Sequence, residues 1–465
     1  MKLHVAAIAI VLGVAAPCLA RDRRESGPSA AEQTTVSKSI APQFLDRVKQ
    51  LCRSYTEGFV YPATDLAYGK RLNGPRGIAV LESPAEIAKG NVRGEYRPWG
   101  YGSGIEDLAY HNGMLLFALC DAEQSTGDPF FAEMACRAFR GLRGMSTLSK
   151  AEGFVPRGPH PDGKSYYPNS SRDQHSLYVC GLWRYHRSRL ASETDRQWIG
   201  EMVAKVLRRL ERDGWSFQVE DGSMAAHAGG SMLRPEPTTA ALLLMMLAAA
   251  HDLTGDGHWK EAYDRFGSEE DGRRWTLLAR RIDRSRDPRR PRWTLFNNQD
   301  ALRTETLRRI EASDERRTIL RDRIADMAQD MLSAPYFRSW RRLDWIGDEP
   351  ADTAEADAVA NTYLKPLGLS VESSATVMDL WKHYDPNRTP TATLGRRSNR
   401  YEPILLATPA MVWQIALLSE SPELTGRVRP AVSEMLQRVD FQRLDSAWAY
   451  NYAVLAALWD LAKSP

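Results

Sequence analysis

The chain has 465 residues, 62 of them basic and 59 acidic, for a formal charge of +3. So close a balance provides no strong net field and argues against a nucleic acid or a membrane surface as the defining partner. The length allows one large domain or two or three ordinary ones.

At the start, Lys2 and His4 precede an apolar run from Val5 to Ala16, and Pro-Cys-Leu-Ala ends at a small-residue cleavage site after Ala20. This predicts a secretory signal peptide over residues 1–20, too short for a bilayer span, which takes roughly twenty apolar residues. Pro17 sits where a lipid-modified Cys18 would need a small neighbour. A soluble exported protein, periplasmic or extracellular and without stable membrane insertion, is therefore expected. Residues 21–41 are polar, rich in Ser, Arg, Glu and Thr, and aperiodic, as in a flexible leader. Cys52, Cys120, Cys136 and Cys180 follow in apolar, helix-like stretches without metal-site spacing. They read as buried free thiols rather than disulfides.

From Pro42 onward the pattern is helical, and a helix–break–helix unit recurs with a period of about sixty residues. The breaks fall near Asp128, Glu193, Asp256, Asp314 and Glu423. Thr-Gly-Asp stands at 126–128 and again at 254–256, a glycine stop followed by an aspartate able to cap the next helix. One set of helices starts near Gln43, Asp128, Glu193, His258, Asp314 and Pro422 and carries the charges. The other starts near Gly104, Ser171, Pro235, Asn297, Pro403 and Asp445 and is apolar on all sides, as in MLLFALC, ALLLMMLAAA and AWAYNYAVLAALW. Helices apolar all round are buried. Six buried helices alternating with six amphipathic ones predict an all-α fold, an (α/α)6 toroid of helical hairpins forming a single domain over residues 42–465.

Smaller features fit around this plan. The apolar run from Thr238 is too short to cross a bilayer and reads as a buried helix. The segments after Glu152 and Asp213 read as small hairpins or extended loops, and SSATVMDLWKHYDP, from Ser373, as an extra helix. The basic run from Arg273 to Trp293 reads as a solvated helix face or loop.

In such a ring the inner-helix N-termini gather at one opening, where peptide dipoles favour negative groups. Those starts carry Glu106 and Asp107; Asp173, Gln174 and His175; Glu236; Asp300; Glu402; and Asp445. The last four acids read as first-turn caps. The first two starts are richer in polar groups, and the loops entering them hold Trp99, Tyr101, Arg157, His160, Tyr166 and Tyr167. Aromatic faces beside charged and amide groups suit a sugar, by stacking on the ring and bonding its hydroxyls. His111 lies four residues after Asp107 on the same helix face, placed to bind a ligand, to orient the carboxylate or to sit as a satisfied core histidine. Two facing carboxylates are the minimum for glycoside hydrolysis: one protonates the leaving oxygen and the other activates water or attacks.

At GIED (104–107) and SSRDQH (170–175) the chain resembles the six-hairpin glycosidase-like superfamily, and within it the unsaturated glucuronyl hydrolase group, over roughly residues 43–463. The resemblance implies a toroid and acid/base roles for Asp107 and Asp173. The expected activity is hydrolysis of oligosaccharides, with uronic acids among the candidate units. Trp99, Tyr101, Glu106, His111, Gln174, His175 and Glu236 would line the sugar site, and Arg157, Arg172 and His160 would pair with a substrate carboxylate. A polysaccharide lyase using Tyr110, His111, His160, Tyr166 or His175 as base, or a non-catalytic glycan-binding protein, remain the alternatives. No dinucleotide, phosphate-loop, His-Glu-x-x-His or Cys-x-x-Cys motif is present, so neither a cofactor nor a metal is expected.

Overall fold

Helix boundaries follow from local capping chemistry. In the computed structural model, which describes residues 42–89, 100, 103–226, 229–282, 294–332, 406–444 and 447–463, helix α1 spans Pro42–Phe59 and runs into a two-stranded antiparallel sheet, β1 (Val60–Tyr61) with β2 (Leu66–Ala67). A short α2 (Pro84–Ile87) precedes the long series. That series is α3 (Leu108–Thr126), α4 (Pro129–Ser146), α5 (Arg172–His186), α6 (Glu193–Arg212), α7 (Pro237–Thr254), α8 (Gly257–Ala279), α9 (Thr294–Ile310) and α10 (Asp314–Leu332), followed by α11 (Thr408–Leu418), α12 (Pro422–Arg438) and α13 (Ala447–Ala462).

Both Thr-Gly-Asp repeats form the same turn. Gly127 and Gly255 end α3 and α7 in the left-handed region, with φ of 67° and 68°. Asp128 and Asp256 then accept the N–H of Phe130 and of His258, capping α4 and α8. Each cap is worth about 1 kcal/mol.

The inner helices α3, α5, α7, α9, α11 and α13 touch in that order, and α13 closes back onto α3. Outside them, α1 packs on α13, α4 on α3, α6 between α5 and α7, α8 on α7, α10 on α9 and α11, and α12 on α11 and α13. This is the (α/α)6 toroid. Apolar burial drives the closure: Ala240 to Ala250 of α7 and Ala449 to Leu461 of α13 are buried almost without a break. Each buried Leu or Val side chain contributes about 1.5–3 kcal/mol. Among the described residues, no helix is long and apolar enough to cross a membrane.

One crossing is closer than the rest. A Cβ on Gly113 of α3 would collide with the Leu177 carbonyl oxygen of α5, and one on Gly181 would lie 2.5 Å from the Gly113 carbonyl oxygen. Two glycines thus let the backbones of α3 and α5 touch, and the starts of those helices come together as a consequence.

At the C-terminal ends of the inner helices, charges close the ring. Asp121 of α3 accepts from Arg184 of α5 at 2.5 Å and from both terminal nitrogens of Arg309 of α9 at 2.8 Å. Glu305 of α9 pairs with Arg308 and Arg309, Arg308 reaches Glu420 just beyond α11, and Lys463 beyond α13 meets Glu420.

Several local expectations need correction or placement. Helix α9 begins at Thr294, before the expected start near Asn297, so Asp300 lies inside the helix and does not cap it. Within the basic run, Arg273, Arg280 and Arg281 are exposed, as on a solvated face, whereas Arg274 is fully buried and donates to Glu269 and to the carbonyls of Met232 and Leu233. The rest of that run past Ile282, the segment from Ser373, Glu402 and Asp445 lie outside the described residues. The segments after Glu152 and Asp213 are extended loops beside isolated bridges, Pro159 with Tyr166, Ser216 with Ser231 and Gln218 with Ala225. Cys52, Cys120, Cys136 and Cys180 are free and buried.

Candidate active site

Asp107 occupies the residue before α3, held from two directions. Arg157, whose side chain is 1% exposed, donates to Asp107 Oδ1 at 2.7 Å, and Gln174 of α5 donates to the same oxygen at 2.7 Å. The arginine is itself fixed, since its Nε donates to the Glu106 carbonyl at 2.7 Å. The amide oxygen of Gln174 accepts the Tyr110 N–H at 3.0 Å, satisfying a first-turn donor of α3 from the neighbouring helix. Among the described residues no donor reaches Asp107 Oδ2, and 28% of the side chain is exposed. Burial raises its carboxyl to about 6; Arg157 opposes the rise, while Glu106 and Asp173 add to it.

Asp173, in the first turn of α5, is paired across the ring. Arg303 of α9, 2% exposed, donates to Asp173 Oδ1 at 2.7 Å and to Ser176 Oγ at 2.9 Å. Arg172, with 26% of its side chain exposed, lies 3.6 Å from the same carboxylate. Asp107 and Asp173 therefore stand on adjacent inner helices, linked through Gln174. Each is paired with its own buried arginine, and each acts electrostatically on Tyr110 and Tyr452.

A polar layer from the other inner helices lies beside them. The Tyr110 and Tyr452 hydroxyls hydrogen-bond each other, and burial raises both above the ordinary phenol range. Asn298 of α9 donates to Gln414 of α11 at 2.9 Å, and Gln414 donates to the Tyr452 carbonyl at 2.8 Å. Five of the six inner helices contribute to this layer. The sixth, α7, is apolar from Ala240 to Ala250.

The remaining candidates divide. Glu106 accepts from the Gly104 N–H at 2.6 Å and from Ser103 Oγ, which shapes the entry to α3. Asn451 donates to His111 Nδ1 at 2.9 Å, so the neutral ring carries its proton on Nε2, and burial lowers this histidine to about 3. His175 is buried against Ser170 and the Ser171 carbonyl and is lowered to about 4 by that burial. It braces the loop from inside the fold. His160 is also buried, with its Nδ1 accepting the Asp162 N–H. Glu236 is exposed and pairs with Arg234 at 3.3 Å; no contact joins it to Asp107 or Asp173. Trp99 and Tyr101 lie outside the described residues.

Sequence reasoning missed Arg303, Asn298, Gln414, Asn451 and Tyr452. A signal existed: a polar residue inside an otherwise apolar helix needs a buried partner. Among the described residues no group of three His, Cys, Asp or Glu side chains is arranged to hold a metal ion.

No known protein-family model matches the chain, and no curated protein matches it. Among solved structures, cellobiose 2-epimerase from Spirochaeta thermophila DSM 6192 is similar over 81% of this chain and 98% of its own length, at 12% identity and a TM-score of 0.35. No activity is carried over from a likeness of that size.

Proposed function

We propose that this protein is a secreted carbohydrate-active enzyme of the six-hairpin type that hydrolyses glycosidic bonds in oligosaccharides, with Asp107 as general acid and Asp173 as general base. One observation carries the reading. Among the described residues both donors to Asp107 fall on Oδ1, so the proton of a carboxyl raised to about 6 belongs on Oδ2, in a side chain that is still partly exposed. An acid poised near the working pH is what leaving-group protonation needs. In the proposed step Asp107 Oδ2 gives its proton to the glycosidic oxygen as the bond from that oxygen to the anomeric carbon breaks. Asp173 takes a proton from the water that attacks the same carbon. The products are two hydroxyl-bearing sugars, and proton transfer from Asp173 through solvent to Asp107 restores the starting state.

The uronate option is weakened by Arg157 and His160, which are buried and committed within the protein, so neither supports recognition of a substrate carboxylate. At Tyr110 the lyase reading is opposed by the upward shift, which leaves little of the phenolate that a tyrosine base needs. Export to the periplasm or the medium rests on residues 1–20, and a mature N-terminus at Arg21 is the expected result of N-terminal sequencing.

The test is release of reducing ends from a panel of neutral and acidic oligosaccharides by wild type, Asp107→Asn and Asp173→Asn. Loss of activity in both variants at unchanged helical circular dichroism supports the assignment, as does wild-type activity that falls when pH rises through about 6. Undiminished release by either variant defeats it. Ultraviolet absorbance from an unsaturated product would assign a lyase instead, and binding without release a glycan-binding protein.

A further inference from the structure

Asp300 lies inside α9 with 1% of its surface exposed, and neither carboxylate oxygen meets a hydrogen-bond donor among the described residues. Three other carboxylates on or beside the inner helices differ: Asp121 accepts from two arginines, Asp107 from Arg157 and Gln174, and Asp173 from Arg303. Removing an ionised carboxylate from water without donors costs several kcal/mol, so the neutral acid is the favoured form in such a place.

The charges that act on Asp300 are Arg323 of α10, Arg303 of its own helix and Arg172 of α5. Arg303 and Arg172 face Asp173: Arg303 donates to it and to Ser176, and Arg172 stands 3.6 Å from it. Arg323 donates to the Arg280 carbonyl at 3.3 Å through one terminal nitrogen, while its buried Nε meets no hydrogen-bond partner among the described residues. The other helices packed on α9 add no nearby competitor: α11 has no titratable side chain, and α7 has His251 and Asp252 only in its last turn. Asp300 and Asp173 thus lie within the field of the same two arginines, and Arg303 gives its hydrogen bond to Asp173 while Arg172 stands in ion-pair range of it.

We propose that Asp300 is a positioning residue of this site, held as an uncharged carboxylic acid so that Arg303 and Arg172 stay with Asp173. Ionised, it would compete for the same guanidinium groups and draw Arg303 off. The positioning role rests on Asp173 belonging to the active site, whereas the protonation state stands apart from that reading. Burial moves the Asp300 carboxyl upward, against the pull of the three arginines. A carboxyl raised in the folded state binds its proton more tightly there than when unfolded. It therefore costs stability as pH climbs above the ordinary carboxylate value of about 3.9, until the folded group also ionises.

The experiment compares melting temperatures of wild type and Asp300→Asn from about pH 4 to about pH 8. The pair should melt alike at the acid end, with the variant shifting upward relative to wild type as pH rises. A variant less stable than wild type at neutral pH would mean that a paired, charged Asp300 had been lost, and would overturn the proposal. Carboxyl carbon-13 spectra of the substrate-free protein give the second readout. The Asp173 signal should show an inflection where Asp300 ionises, and that inflection should vanish in Asp300→Asn. An Asp300 that ionises no higher than the ordinary carboxylate value of about 3.9, or an Asp173 signal blind to it, refutes the role. Neither readout uses a glycan, so failure of the hydrolase reading leaves the result interpretable.

Discussion

Arg303 donates to Asp173 at 2.7 Å from a helix 130 residues further along the chain, joining the fourth inner helix to the second beside Asp107. The proposed base thus depends on closure of the ring, since no residue near it in sequence supplies a comparably buried cation.

Replacing Arg303 with Met should therefore do more than trim a contact. It leaves a largely buried carboxylate without its main partner, a change that costs about 3–5 kcal/mol. A fall in melting temperature together with loss of glycan hydrolysis is the expected outcome, read by calorimetry and reducing-end assay.

Gly113→Ala tests how the two helix starts are brought together. The added methyl would meet the Leu177 carbonyl, which cannot swing aside as a flexible side chain could. Overpacking of this kind costs about 1–3 kcal/mol. The variant should lose stability, and its activity should drop because Gln174 no longer reaches Asp107 in register. Ala substituted at Gly144, where nothing lies within 4 Å, is the control and should be near wild type.

At the other end of the ring, Asp121→Asn removes the carboxylate shared by Arg184 and Arg309 and should destabilise by about 3–5 kcal/mol. Burial alone would raise the Asp121 carboxyl, but Arg309 and Arg184 overcome it and hold it well below the usual carboxylate range. Its contribution is therefore present above the unfolded value of about 3.9 and lost as pH falls below that value. Acid titration of stability should show the gap between wild type and variant closing in that window.

The four thiols make a simpler prediction. Burial pushes Cys52, Cys120 and Cys180 up to about 12, so they stay protonated and inert at neutral pH. A thiol reagent should leave these three unmodified in the native protein and label them once denaturant opens the ring.

Much of the fold was legible because its cues are local. The paired Thr-Gly-Asp turns mark two hairpin breaks through a left-handed glycine and a capping aspartate, and both form as read. The site was legible in part. Asp107, Asp173 and Gln174 lie at helix starts that capping and dipole arguments single out, and the structure brings them together. Arg157 was visible as a charge in an entry loop, but its role was misread: it serves the protein's own Asp107 and does not await a substrate carboxylate. Asp300 was mistaken for a cap because Asn297 and Asn298 imitate a helix start, whereas α9 already begins at Thr294.

The alternation of amphipathic with more apolar helices, and with it the expectation of a ring, is legible in the sequence alone, because burial preference repeats with helical periodicity. Which charges meet inside the ring was decided only by the tertiary structure. Tyr110 finds Tyr452 across 342 residues, and Asp121 finds Arg309 across 188. Such pairings depend on the angular position of each side chain once six helices have closed on one another, and no local pattern in the chain encodes that angle.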